Sequence, residues 1–315
     1  MNESEHEHGR TESSSRLKII LAIVLVIMVA ELIGGIISNS LALIGDAGHM
    51  FVDGLALSLS IFAIAMAARP ATPNKTFGYH RVEIMAALAN GTLLVLVSVY
   101  IFYEAYQRFI DPPVVRAPLM LAIASIGLTA NLIGILLLRR MSHSNLNIKA
   151  AFWHILGDTI SSVGVITGGV IILITGWGIV DAIIAVLIGC IILWGAVRLV
   201  KESVDILLEA VPKHIEVDEV IKTLYKVDGV DEVHDVHVWT ITSGIYAMSA
   251  HLIIKDQSVS GSSEIVGKVN HDMGQRFNIT HTTLQLECER CDNCPPGTTC
   301  NITRTEDASK RVEII

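Results

Sequence analysis

Charge is scarce in this chain. Asp, Glu, Lys and Arg make up 17% of its 315 residues against 51% hydrophobic, and the mean hydropathy is +0.55. That balance excludes an ordinary soluble domain and points to an integral membrane protein. The charge that is present sums to −8, so the basic field of a nucleic-acid binder is missing. The opening "MNESEHEHGRTESSSR" lacks the basic start of a secretory signal and reads as a solvated tail, residues 1–16. Cysteine is sparse too. Cys190 lies in an apolar run, where a buried thiol is expected. The other four of the five crowd into "CERCDNCPPGTTC".

Against this background, six apolar segments stand out, near 17–38, 41–68, 82–106, 117–138, 148–175 and 178–200. Crossing a bilayer as a helix takes about 20 residues, and each segment is long enough. Two connections, "SNS" and "TGW", are so short that their neighbours must run antiparallel. Basic residues collect on one side: Arg10, Arg16 and Lys18, then Arg69, Lys75 and Arg81, then Arg139, Arg140 and Lys149, then Arg198 and Lys201. The other side holds only Arg108 and Arg116. The positive-inside rule then puts both termini in the cytoplasm. The six-helix membrane domain is expected over 17–204.

From about 203 the composition changes, charges become frequent and spans stop. "EVDEVIKTLYKV" places Val217, Val220, Ile221 and Leu224 on one helical stripe. "VHDVHVWTIT" and "IYAMSAHLIIK" alternate as strands around an "SG" turn. "SSEIVGKVNHDMGQRF" reads as a helix with a Ser cap, and "THTTLQLE" as a last strand. The order αββαβ predicts a small α/β sandwich over 205–287 on the cytoplasmic side, followed by a tail over 288–315. His271, in the second helix, reads as a surface residue.

An ionisable side chain inside a span costs roughly 2.5–3.5 kcal/mol on insertion scales, so such residues are functional candidates. The second span carries "GDAGHMFVDG" with Asp46, His49 and Asp53; the fifth carries "HILGD" with His154 and Asp158. In both, His and Asp are four apart and share one helix face. Two facing helices would offer two imidazoles and two carboxylates, a set that binds zinc tetrahedrally. The two carboxylates balance one Zn²⁺, and protons can replace it on the same atoms. Two other readings stand beside this one: a polar network that ties helices together, and a catalytic zinc with Asp46 as base. Nothing else in the chain supports enzymatic chemistry. Asp46 shares the face of His49 and is a packing residue, an outer-shell partner or part of a proton path. Glu31, Asn90, Asn131 and Asp181 read as interior hydrogen-bonding residues.

His234 and His237 are three apart, so on a regular strand they face opposite sides and need a bulge to share a site. The tail cysteines follow C-x2-C-x2-C-x5-C. Cytosolic placement argues against stable disulfides, and this spacing suits a soft metal. Cys288, Cys291 and Cys294 are the candidate ligands, with Cys300 completing or replacing one. An incidental set of thiols in a tail is the alternative.

"NSLALIGDAGHMFVD", "KTFGYHRVEIMAALANG", "HILGDTISSVGVI" and "HDVHVWTITSG" resemble the cation diffusion facilitator family, in the zinc-exporting branch of bacterial CzcD-like and animal ZnT-like transporters. The likeness covers about residues 15–287. It implies a six-helix membrane domain, a ferredoxin-like cytoplasmic domain, a homodimer and Zn²⁺/H⁺ antiport by alternating access. It implies that His49, Asp53, His154 and Asp158 form the transport site. The HxxxD form in the second span is similar to that of the more zinc-selective members. The resemblance also implies a cytosolic zinc site from His234, His251, His281 and Glu287, although histidines on strands are often solvated or core residues. Likewise it suggests that His6 and His8 meet the tail cysteines of the neighbouring chain, that His80 is a loop ligand, and that Arg81 contacts Asp205. The loop between spans four and five holds only His143, as in prokaryotic members, which suggests a bacterial inner membrane. An exporter of Cd²⁺, Co²⁺ or Ni²⁺ remains the near alternative, and a membrane zinc hydrolase the distant one.

Overall fold

The computed structural model describes residues 25–139 and 146–288, apart from the side chains of 137–139, 146–151, 153 and 154. The chain folds as two compact units. One takes the residues up to Ala65 together with Met85–Lys201; the other takes Met66–Ile84 and the residues from Glu202 onward.

The first unit is helical. Helix α1 (Leu25–Ser38) is followed by α2 (Leu41–Ala67), α3 (Arg81–Ile110), α4 (Ala117–Arg139), α5 (Leu146–Thr175) and α6 (Ile179–Leu207). By length and composition α2 to α6 can each cross a membrane, and α1 is a shorter apolar helix among the described residues. Their outward faces are greasy: Ile36, Ile61, Leu136 and Trp194 are all exposed. In a bilayer these side chains meet lipid, which is as apolar as they are. Cys190 is exposed as well, so the expected buried thiol is corrected to one on the outer face of α6. Inward, Ala42, Ala105, Ala124, Ala182, Ala185 and Ala196 are buried, and small side chains let the helix backbones approach. At Gly178 a Cβ would sit 2.8 Å from the Pro113 carbonyl oxygen, so the turn before α6 has no room for a side chain.

Where α1 turns into α2, Asn39 adopts φ 58°, a left-handed cap. Ser40 then caps α2, its Oγ accepting from Leu43 N at 3.2 Å. Asp181, from the first turn of α6, accepts from Ser40 Oγ at 2.6 Å and from the backbone N–H of Leu41. Arg108 donates to Asn39 O at 2.7 Å and to Asp181 Oδ2 at 3.3 Å. Thus a carboxylate meets the start of α2 and a cation meets the end of α1, each matching the helix dipole.

The second unit is built from α7 (Val217–Leu224), β1 (Val230–Thr242), β2 (Ile245–Ile254), α8 (Val259–Phe277) and β3 (Ile279–Glu287). β1 and β2 form an antiparallel hairpin whose turn uses Gly244 at φ 78°, and β3 pairs with β2 in parallel. The strand order is β1-β2-β3. Val220 and Leu224 of α7 and Ile265, Val269 and Met273 of α8 pack with Val233, Val238, Met248 and Leu252 of the sheet. The expected stripe on α7 therefore faces this core. Helix α8 starts earlier than the sequence suggests, because Ser258 takes the cap, its Oγ accepting from Gly261 N at 3.4 Å.

Within this unit the first turn of α3 is held by polar contacts. Thr242 Oγ1 donates to Glu83, and Arg81 pairs with Glu209 at 2.8 Å. The expected partner of Arg81 was Asp205. Glu209 takes that place because the chain leaves α6 through a left-handed residue there, at φ 60°.

Candidate functional site

Helix α2 carries Asp46, His49 and Asp53 at offsets of three and seven, hence on one face. His49 Nε2 lies 3.3 Å from Asp53 Oδ2. Across from it, α5 carries Asp158, only 4% exposed, and Asp46 is 2% exposed. Ser161 Oγ of α5 donates to Asp46 Oδ1 of α2 at 2.7 Å, joining the two helices here.

That bond fixes a register. Consecutive spans alternate in direction, so α2 and α5 run antiparallel. Ser161 lies three residues beyond Asp158 and seven beyond His154, the same offsets that separate Asp46 from His49 and Asp53. At about 1.5 Å per residue, His49 falls level with Asp158, about 4.5 Å along from the bond, and Asp53 level with His154, about 10.5 Å along. Each imidazole position on one helix is thus matched by a carboxylate position on the other. The side chain of His154 lies outside the described residues.

A third acid, Glu31 of α1, is 2% exposed, and its Oε1 is where a Cβ at Gly127 of α4 would come, at 2.5 Å. A side chain at position 127 would therefore require the Glu31 carboxyl to shift. Asn131 is also buried, at 4% exposure.

The second candidate site is on the sheet. A bulge interrupts β1 between His234 and His237, with Asp235 at φ 51°. Aspartate tolerates this left-handed conformation better than most residues. The extra residue lets His234 pair with His251 and His237 with Ser249, which sit on one face of β2. His234 is fully buried; its Nε2 lies 3.5 Å from Glu287 Oε2. His251 Nδ1 lies 3.0 Å from Glu287 Oε1. Ligand atoms of His234, His251 and Glu287 all fall within 4.8 Å of one another, the single group of this kind among the described residues. His49, Asp53 and Asp158 do not form such a group.

His281 stands apart from this cluster. It pairs with Ala247, while Glu287 pairs with Ile253, six residues further along. At about 3.3 Å per residue that separates them by roughly 20 Å within one chain. The His281 ring meets Phe77 instead, with centroids 5.6 Å apart. A residue not singled out by the sequence is Asp235. Its Oδ1 lies 2.9 Å from His237 Nε2 and its Oδ2 3.7 Å from His251 Nε2. It thus stands behind His251, as carboxylates do behind metal-binding histidines. The only signal was its place between two histidines in "HDVH". Cys288 is exposed just past β3, and His271 is exposed on α8. Cys291, Cys294, Cys300, His6, His8 and His143 lie outside the described residues.

Comparison with known proteins decides the family. The cation efflux transmembrane domain matches residues 17–208, and the cytoplasmic domain of cation efflux proteins matches 212–289. The chain belongs to the cation efflux family. It is 41% identical over 288 residues to the metal cation efflux system protein CzcD of Cupriavidus metallidurans, covering 91% of each chain. It is 38% identical to a cadmium, cobalt and zinc/H(+)-K(+) antiporter of Bacillus subtilis, covering 90% of this chain and 92% of the relative. The zinc transporter ZitB of Escherichia coli is 35% identical, with 91% and 93% covered. As a cation efflux protein the chain is a multi-pass membrane protein, and the helical unit and the αββαβ unit correspond to the two family domains.

Proposed function

We propose that the chain exports Zn²⁺ from the cytoplasm in exchange for protons, at a site formed by His49, Asp53, His154 and Asp158. The observation that carries this is the Asp46–Ser161 hydrogen bond, because the register it sets pairs each imidazole position with a carboxylate position. Two imidazoles and two carboxylates suit zinc in number and kind, and they disfavour manganese, which prefers oxygen. The names of the relatives point the same way. The two carboxylates neutralise the ion, which lowers the cost of carrying it through a low-dielectric region. Ligands must release protons to take the metal, and taking protons back expels it, so exchange follows from the donor set. The filled four-ligand shell leaves no open position for a reacting water, so transport and not hydrolysis is the activity.

The cytoplasmic cluster of His234, His251 and Glu287 supplies three donors where zinc takes four. In this reading Cys288, Cys291 and Cys294, with His6 and His8 of a neighbouring chain, complete the cytosolic metal chemistry of a homodimer. His281 then acts outside the cluster of its own chain. Both termini lie in the cytoplasm of a bacterial inner membrane, where export detoxifies the cell.

The test is zinc-driven proton flux in proteoliposomes. Wild type exchanges zinc for protons and Asp158→Ala, although assembled, does not. Equal flux in the two proteins would end this reading.

A further inference from the structure

We propose that Asp46 and Ser161 are positioning residues that set the metal selectivity of the intramembrane site. The proposal rests on the transport reading above and deepens it. Neither residue is needed as a ligand, since two imidazoles and two carboxylates already make a complete shell. Yet Asp46 is a carboxylate buried to 2% exposure inside a membrane helix, a placement that has to be compensated. What it does there is accept a 2.7 Å hydrogen bond from the opposite helix.

The place of that bond gives it its effect. It lies one helical turn from the level of His49 and Asp158, on the ligand-bearing faces of both helices. It joins two side chains with few rotatable bonds, so it fixes both the sliding register and the local spacing of α2 and α5. Spacing sets cavity size. Zinc holds nitrogen and oxygen ligands at about 2.0–2.2 Å. Cadmium is the larger ion and needs a wider cage. A short hydrogen bond next to the cage holds it at the smaller size. Loss of the bond frees the helices to separate by the few tenths of an ångström that a larger ion requires. Asp181 and Arg108 fasten α2 at its start, so this second fastening acts on a helix that already has one fixed end.

The experiment measures zinc and cadmium transport by the full chain in proteoliposomes, with the KM and kcat of each ion. Ser161→Ala should lower the zinc-over-cadmium ratio of kcat/KM by about tenfold, mainly through the KM for zinc, with the kcat for zinc little changed. Ser161→Thr keeps the donor and should restore the ratio. A ratio in Ser161→Ala equal to that of wild type would overturn the proposal. So would equal falls in Ser161→Ala and Ser161→Thr. Should Ser161→Ala fail to assemble, Ser161→Cys replaces the hydroxyl with a weak donor. An intermediate ratio there supports the proposal and a wild-type ratio refutes it. If wild type itself carries neither ion, the transport reading fails and this proposal with it; if wild type transports and only the ratio is unmoved, the positioning role alone fails.

Discussion

The two metal-capable regions use the same side chains to different ends. On the sheet, His234, His251 and Glu287 already bring their ligand atoms together on adjacent strands whose register is fixed by backbone hydrogen bonds. In the membrane, His49, Asp53 and Asp158 lie on two helices joined at this level by a side-chain bond. A sheet cannot slide without breaking its ladder, whereas helices can rock against each other at the expense of a few side-chain contacts. The difference teaches that retention and release are matters of scaffold as much as of ligand. In the proposed reading the sheet is suited to keep an ion and the helices are suited to let one go.

Substitutions can break this contrast. The largest effect should come from Asp158→Ala, which takes zinc-driven proton flux below detection while the cytosolic zinc stays bound. Metal analysis of the same sample checks both halves. Next, Glu287→Ala removes one of the three donors and should weaken zinc binding on the sheet by at least about 10-fold, the lower end for loss of a mere supporting partner, while vesicle flux persists. Coincident loss of both would show that the two regions are not separable. His49→Asp should raise cadmium transport relative to zinc several-fold, because the shorter carboxylate side chain leaves a wider cage for the larger ion; competition between the two ions in vesicles reads this out. Gly178→Ala meets the Pro113 carbonyl at 2.8 Å and should destabilise the helical unit by about 1–3 kcal/mol without altering selectivity. Smallest of all, Ser258→Ala removes the α8 cap and should cost about 0.5–1 kcal/mol in the second unit, seen in its thermal unfolding.

Much of this arrangement is legible in the residues. Lipid demands about 20 apolar residues per span, so the spans announce themselves. The 3.6-residue repeat places His and Asp four apart on one face without further help. Strand alternation gives β1 and β2, and the "SG" turn gives their pairing. What was hidden depends on which atoms meet across the fold. Serine is common in spans, so nothing marked Ser161 as the partner of Asp46. The left-handed Asp235 leaves no firm mark in the sequence, so the bulge that puts His234 and His237 on one side stood only as a condition. The resemblance groups His281 with Glu287, although both stand on the strand "THTTLQLE", where a spacing of six residues already sets them roughly 20 Å apart. Arg81 found Glu209 because the exit from α6 turns there, which composition does not reveal.

The central claim is that four residues on α2 and α5 hold zinc, and X-ray absorption at the zinc edge tests it most directly. The chain should carry His251→Ala and Glu287→Ala, with Cys288, Cys291, Cys294 and Cys300 replaced by serine, so that cytosolic zinc is removed. About one zinc per chain should remain, with nitrogen and oxygen neighbours at about 2.0–2.2 Å, imidazole scattering and no sulfur. Adding Asp158→Ala should abolish that signal. An absence of retained zinc, or a shell unchanged by Asp158→Ala, would contradict the account.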